Sequence, residues 1–139
     1  MSKKRISWEE YALLLAETAS LRSQDPFKKV GACALREDHS IIALGYNSAP
    51  PGIEIDWSNR DERRKRVIHS EENVLTWVKP GEVKILACTA LPCSICIKTC
   101  AQKRVACIIY RDELEGYDNE LSKKLAKEFG LELVKIDIE

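Results

Sequence analysis

The chain has 139 residues, the usual size of one compact domain and enough to bury most of the surface its unfolded form exposes. Lys plus Arg and Asp plus Glu both number 22, and a net charge of zero argues against a dedicated partner of long nucleic acid, though not against a local basic patch. No apolar run is long enough to span a bilayer, and Met1–Arg5 leads into an amphipathic segment instead of an apolar signal core; a single cytoplasmic domain over residues 1–139, with no membrane partner, is expected.

Ser7 reads as an N-cap, Glu10 completes a capping box, and Ile6 and Tyr11 are spaced for a hydrophobic staple. Trp8, Tyr11, Leu14, Leu15, Thr18 and Leu21 then mark one face of a helix over about residues 8–22, broken by Arg22-Ser23-Gln24-Asp25-Pro26. Residues 30–35 and 41–46 read as strands of a hairpin around a polar turn that holds His39, a surface residue. A polar loop over about residues 47–66 follows, long enough to suggest function. Residues 69–78 read as a helix, 83–89 as a strand, 92–102 as a helix with Pro near its first turn, and 105–110 as a strand. A helix over 119–129 ends at Gly130, and residues 131–138 form the last strand. This order predicts a three-layer α/β/α domain around one mixed sheet, with the last two strands parallel because a helix crosses between them.

His69-Ser70-Glu71 is followed about two dozen residues later by Pro92-Cys93-Ser94-Ile95-Cys96. One His and two Cys can hold Zn²⁺ and leave a fourth position for water, which distinguishes a catalytic zinc site from a closed structural one. Glu71, beside them, can move protons. This pairing is the signature of zinc-dependent base deaminases. His69, Cys93 and Cys96 all fall at predicted helix starts, where partial positive charge favours thiolate. Cys33, Cys88 and Cys107 read as core thiols, and a reducing compartment gives them no disulfide to make. Cys100 shares a helical face with Cys96 but lies one turn further on, and core packing is its expected role.

These motifs resemble the cytidine-deaminase-like superfamily, and within it the deoxycytidylate (dCMP) deaminases. The similarity runs from about Leu14 to Ile138. It includes Arg22-Ser23-Gln24-Asp25-Pro26 with Lys29-Val30-Gly31-Ala32, Gly45-Tyr46-Asn47 with Pro50 and Gly52, and His69-Ser70-Glu71-Glu72-Asn73. The resemblance implies a five-stranded cytidine-deaminase-like fold, Zn²⁺ on His69, Cys93 and Cys96, and Glu71 as proton shuttle. The activated water would attack C4, turning dCMP into dUMP and ammonia with no organic cofactor. It further implies backbone contacts to the base near Ser70 and Leu91, a sugar or base contact at Asn47, and a homo-oligomer built through the helices that flank the site. Arg22 and Ser23, with Arg60 next, are the candidates for the substrate phosphate.

Ser70 replaces the family's usual Ala and Ser48 its frequent Gly. The central loop lacks the His and Cys residues of the second zinc site found in some members. Deamination of another base (cytidine or deoxycytidine, guanine, tRNA adenosine) is the alternative, and a non-catalytic zinc-binding subunit a more distant one.

Overall fold

A computed structural model describes residues 4–137. The expected last strand residue, Ile138, lies outside that range. The elements are α1 (Trp8–Ser20), β1 (Gly31–Leu35), β2 (Ile41–Tyr46), α2 (Arg60–Arg66), α3 (Ser70–Leu75), β3 (Ile85–Ala90), α4 (Ser94–Gln102), β4 (Cys107–Asp112), α5 (Asn119–Glu128) and β5 (Glu132–Lys135). They form one five-stranded sheet in the order β2-β1-β3-β4-β5. β1 runs antiparallel to β2 and β3, while β3, β4 and β5 are parallel. The mixed sheet and its parallel ending agree with the sequence expectation. No helix among the described residues is long and apolar enough to cross a membrane.

Alternation along β1 sends Ala32 and Ala34 to one face and Cys33 and Leu35 to the other. The first pair packs with Val74, Leu86, Ile97, Cys100, Ile108 and Ala126, under α3, α4 and α5. The second packs with Ala12, Leu13, Ala16, Ile85, Ala87 and Ile109, under α1. Helices therefore cover both faces of the sheet.

α1 begins as read, with Ser7 and Glu10 closing a capping box. Its buried face matches the expected one only in part: Tyr11 and Leu15 pack at the edge of the core. Ala12, Leu13, Ala16 and Ser20 are buried, whereas Trp8, Leu14 and Leu21 are exposed. The reason is close packing: a Cβ on Gly31 would lie 1.9 Å from the Ala16 carbonyl oxygen, so the helix rests on bare backbone. Alanines take the contact with Gly31, and Leu13 fills the face beside it. Trp8 instead stacks on His39 at 4.4 Å between centroids, which half-buries the expected surface histidine.

The expected loop over residues 47–66 contains α2, which the apolar periodicity missed because the helix buries none of its residues. Its signals are polar: Asn59 caps the Glu62 N–H, acids fill the first turn and bases the last. Ser48 and Ile68 exchange two backbone hydrogen bonds of 3.0 and 2.8 Å, which pin together the ends of this excursion. α3 and α4 are shorter than expected, and both begin with a metal-ligand candidate: His69 and Cys93 are the N-caps themselves.

Candidate active site

The carboxyl ends of parallel strands, with the helices that follow them, form the usual crevice of such sheets. Here β3 ends at Ala90, and Leu91 and Pro92 carry the chain to Cys93. Cys96 lies three residues on, at the third position of α4. His69 approaches from the neighbouring α3. Its Nδ1 lies 3.4 Å from Cys93 Sγ and 3.5 Å from Cys96 Sγ, and the three donor atoms all fall within 4.8 Å of one another. Zn–S of about 2.3 Å and Zn–N of about 2.05 Å at a tetrahedral angle require an N···S separation of about 3.5 Å. The donor set fits zinc, and among the described residues it numbers three, which leaves the fourth position for water. Cys100 lies in the core beneath α4, where burial pushes its thiol above the ordinary range, and takes no part.

Electrostatics match the donors to a cation. The Cys93 thiol is pulled down to about 4, first by the Cys96 thiol donating to it and then by His69. The same bond, with burial, pushes Cys96 upward. The hydrogen bond to Cys93 holds His69 up at about 9 against the opposing effect of burial. The metal-free cluster thus carries one thiolate and two protons that a metal would displace.

Glu71 is 4% exposed. Burial raises its pKa, and the Ser70 hydroxyl, which donates to its Oε1 at 2.6 Å, offsets part of that rise. A carboxyl raised from its ordinary value is suited to proton transfer near neutral pH. Glu72 stays beside His69: its Oε1 accepts from the His69 backbone N–H at 3.1 Å and lies 4.0 Å from His69 Nδ1.

One cavity opens at this point. His69, Ser70, Glu71, Leu91, Cys93 and Asn47 line it, so six of the residues singled out in the sequence meet there. Asn47 is largely committed to the fold: its amide donates to the Lys28 carbonyl at 2.8 Å and its Oδ1 accepts from the Val30 N–H at 2.9 Å. The Leu91 N–H is also taken, by the Asp112 carbonyl at 2.8 Å.

Arg22, Ser23 and Arg60 do not line the cavity. Ser23 is buried, and its hydroxyl donates to the Asn47 carbonyl at 2.8 Å and accepts from the Asp25 N–H at 3.2 Å. Arg22 follows the C-cap of α1 and is exposed. The cations that do line the cavity are Lys28, Arg63 and Arg64, together with Tyr117 from the loop after β4. The run Arg60, Arg63, Arg64, Lys65 and Arg66 is plain in the sequence, but not which of its members face inward. The helical spacing of α2, signalled by its Asn59 cap, was the available clue. Tyr117 gave no signal, because only the fold returns the 113–118 loop to the cavity.

Helices on both faces of this sheet order, a zinc-shaped His/Cys/Cys set and a buried carboxyl beside it define a class: zinc-dependent deaminases of nucleobases. Residues 6–112 match the model of the cytidine and deoxycytidylate deaminase zinc-binding region. Mouse deoxycytidylate deaminase is 29% identical over 131 residues, spanning 85% of this chain and 73% of that protein. The apo dCMP deaminase of cyanophage S-TIM5 superposes with a TM-score of 0.76 at 28% identity, over 96% of this chain and 100% of that one. The structure of the cyanophage enzyme in complex with dCMP and dUMP gives 0.69 at 26% identity, over 93% of each chain. The chain belongs to the cytidine and deoxycytidylate deaminase family, on its dCMP deaminase side, and is a hydrolytic enzyme that uses zinc.

Proposed function

We propose that the chain converts dCMP and water to dUMP and ammonia. The observation that carries the reading is the lining of the cavity: Glu71 and two of the zinc donors, His69 and Cys93, share it with Lys28, Arg63 and Arg64. A neutral nucleoside or free base has no use for three cations, whereas a 5′-phosphate dianion does. The relatives named for dCMP support the same substrate.

His69, Cys93 and Cys96 would hold the zinc, which when bound lowers the pKa of a water from its bulk value to about 7. Glu71 takes the proton of the attacking water and delivers it to ring N3, then takes the proton of the new C4 hydroxyl and passes it to the departing amino group. Its depth in the fold keeps bulk water from competing for that proton. Ser70 fixes one carboxyl oxygen and leaves the other for the transfer. Ser70 and Leu91 give the base its walls, and Asn47 faces the sugar or base with the remaining lone pair of its Oδ1.

The test is kcat/KM for dCMP against deoxycytidine. Charge-assisted contacts to phosphate are worth about 1.5–3 kcal/mol, so dCMP should be preferred by at least about tenfold. Equal use of deoxycytidine would reassign the enzyme to nucleosides. A homo-oligomer formed through the α3 and α4 side belongs to the same reading: Trp77 and Ile95 are 74% and 62% exposed there. Light scattering that returned the monomer mass of 15.8 kDa would remove it.

A further inference from the structure

Some cations elsewhere among the described residues pair with carboxylates, and others do not. Lys123 Nζ lies 2.9 Å from Glu113, Arg111 3.5 Å from Glu17, and Lys84 4.0 Å from Glu37. The three cations of the cavity do not. Among the described residues no carboxylate pairs with Lys28, Arg63 or Arg64. Asp25 also lines the cavity, but its Oδ1 accepts from the Phe27 and Lys28 backbone N–H groups at 2.8 and 3.2 Å, and its Oδ2 faces the Asn47 amide at 3.4 Å.

What holds these cations is aromatic. Lys28 Nζ sits 5.0 Å from the centre of the Tyr117 ring and donates to the Glu115 carbonyl at 3.1 Å. The Arg64 guanidinium sits 5.8 Å from the same ring. Arg63 lies 4.4 Å over Phe27 and donates to the Trp57 carbonyl at 3.4 Å. Tyr117 and Phe27 are 40% and 61% exposed, so neither is there to fill the core. A ring face attracts a cation without cancelling its charge. A carboxylate in the same place would hold the cation as well but would repel an incoming phosphate.

We infer that Tyr117 is a positioning residue for phosphate recognition, its ring holding Lys28 and Arg64 at the cavity while leaving their charge available to the nucleotide. Phe27 does the same for Arg63. The inference rests on the phosphate reading above, and it adds a specificity role to a loop more than 20 residues from the nearest zinc ligand in sequence.

The test compares Tyr117→Leu and Tyr117→Phe with the parent for dCMP and deoxycytidine, alongside calorimetric binding of dUMP. Tyr117→Leu keeps an apolar side chain but removes the π face. It should lower the dCMP-to-deoxycytidine ratio of kcat/KM about five- to tenfold, through KM, and weaken dUMP to a similar extent. Tyr117→Phe keeps the face and should keep the ratio. Phe27→Leu should shift the ratio in the same direction by a smaller factor, since one cation is involved instead of two. A parent that does not distinguish dCMP from deoxycytidine would overturn the phosphate reading and this inference together. A parent that prefers dCMP while Tyr117→Leu retains the ratio and the dUMP affinity would overturn this inference alone. So would a Tyr117→Phe variant that loses as much as Tyr117→Leu, since the hydroxyl and not the ring would then be responsible.

Discussion

His69 and Cys93 stand at helix N-caps packed against the sheet, whereas Arg63 and Arg64 stand on a seven-residue helix that buries nothing. The floor and the rim of one cavity are thus built differently. In the floor, Glu71 and Cys96 are buried, Ser70 donates to one Glu71 oxygen, and His69 Nδ1 lies within 3.5 Å of the Cys96 thiol. In the rim, cations lean on exposed rings and carbonyls contributed by three separate stretches of chain. Chemistry needs donor atoms held to within about half an ångström, and only elements locked by the core provide that. Recognition of a phosphate needs charge more than exact placement, so the rim can be built from surface pieces. The reaction should therefore be sensitive to the floor and the substrate preference to the rim.

The metal is where this division is most exposed to failure. His69→Ala or Cys96→Ser should abolish stoichiometric zinc and reduce turnover to background, checked by elemental analysis and ammonia release; full activity without zinc would end the assignment. Titration of the parent bears on the same point. Between about 4 and about 9 the metal-free cluster holds Cys93 as thiolate, His69 protonated and the Cys96 thiol protonated. Zinc needs all three donors bare, so two protons leave on binding. Apparent zinc affinity should therefore rise with pH, by about a hundredfold per unit across that window, and fall on acidification. Chelator competition at pH 5.5, 6.5 and 7.5 measures the slope; independence of pH would contradict these charge states.

Glu71→Ala comes next. It should leave zinc and fold in place but cost at least about a hundredfold in kcat, since a positioned proton carrier is lost. Turnover within a few-fold of the parent would take Glu71 out of the mechanism. The smallest effects belong to the rim. Lys28→Ala or Arg64→Ala should reduce the preference for dCMP over deoxycytidine about tenfold. Arg22→Ala and Arg60→Ala, outside the cavity lining, should change it less than about twofold. The reverse order would return the phosphate contact to the loop that follows α1.

The candidate metal and proton-carrying residues were laid out in the amino-acid order: His69, Glu71, Cys93 and Cys96 are local motifs at the starts of α3 and α4, the second of these marked by Pro92. So was the parallel end of the sheet, because a crossover helix leaves no other arrangement for β4 and β5. The face that α1 buries depends instead on tertiary packing: Ala16 sits on the bare backbone of Gly31, Leu13 fills the face beside it, and Trp8 and Leu14 lie outside the core. α2 escaped detection because a helix that buries nothing has no apolar period to read. The cavity rim was beyond any sequence window for a different reason. Lys28, Arg64 and Tyr117 come from three segments with no shared pattern, and they meet only because the fold brings the 24–30 loop, α2 and the 113–118 loop to the carboxyl end of β3.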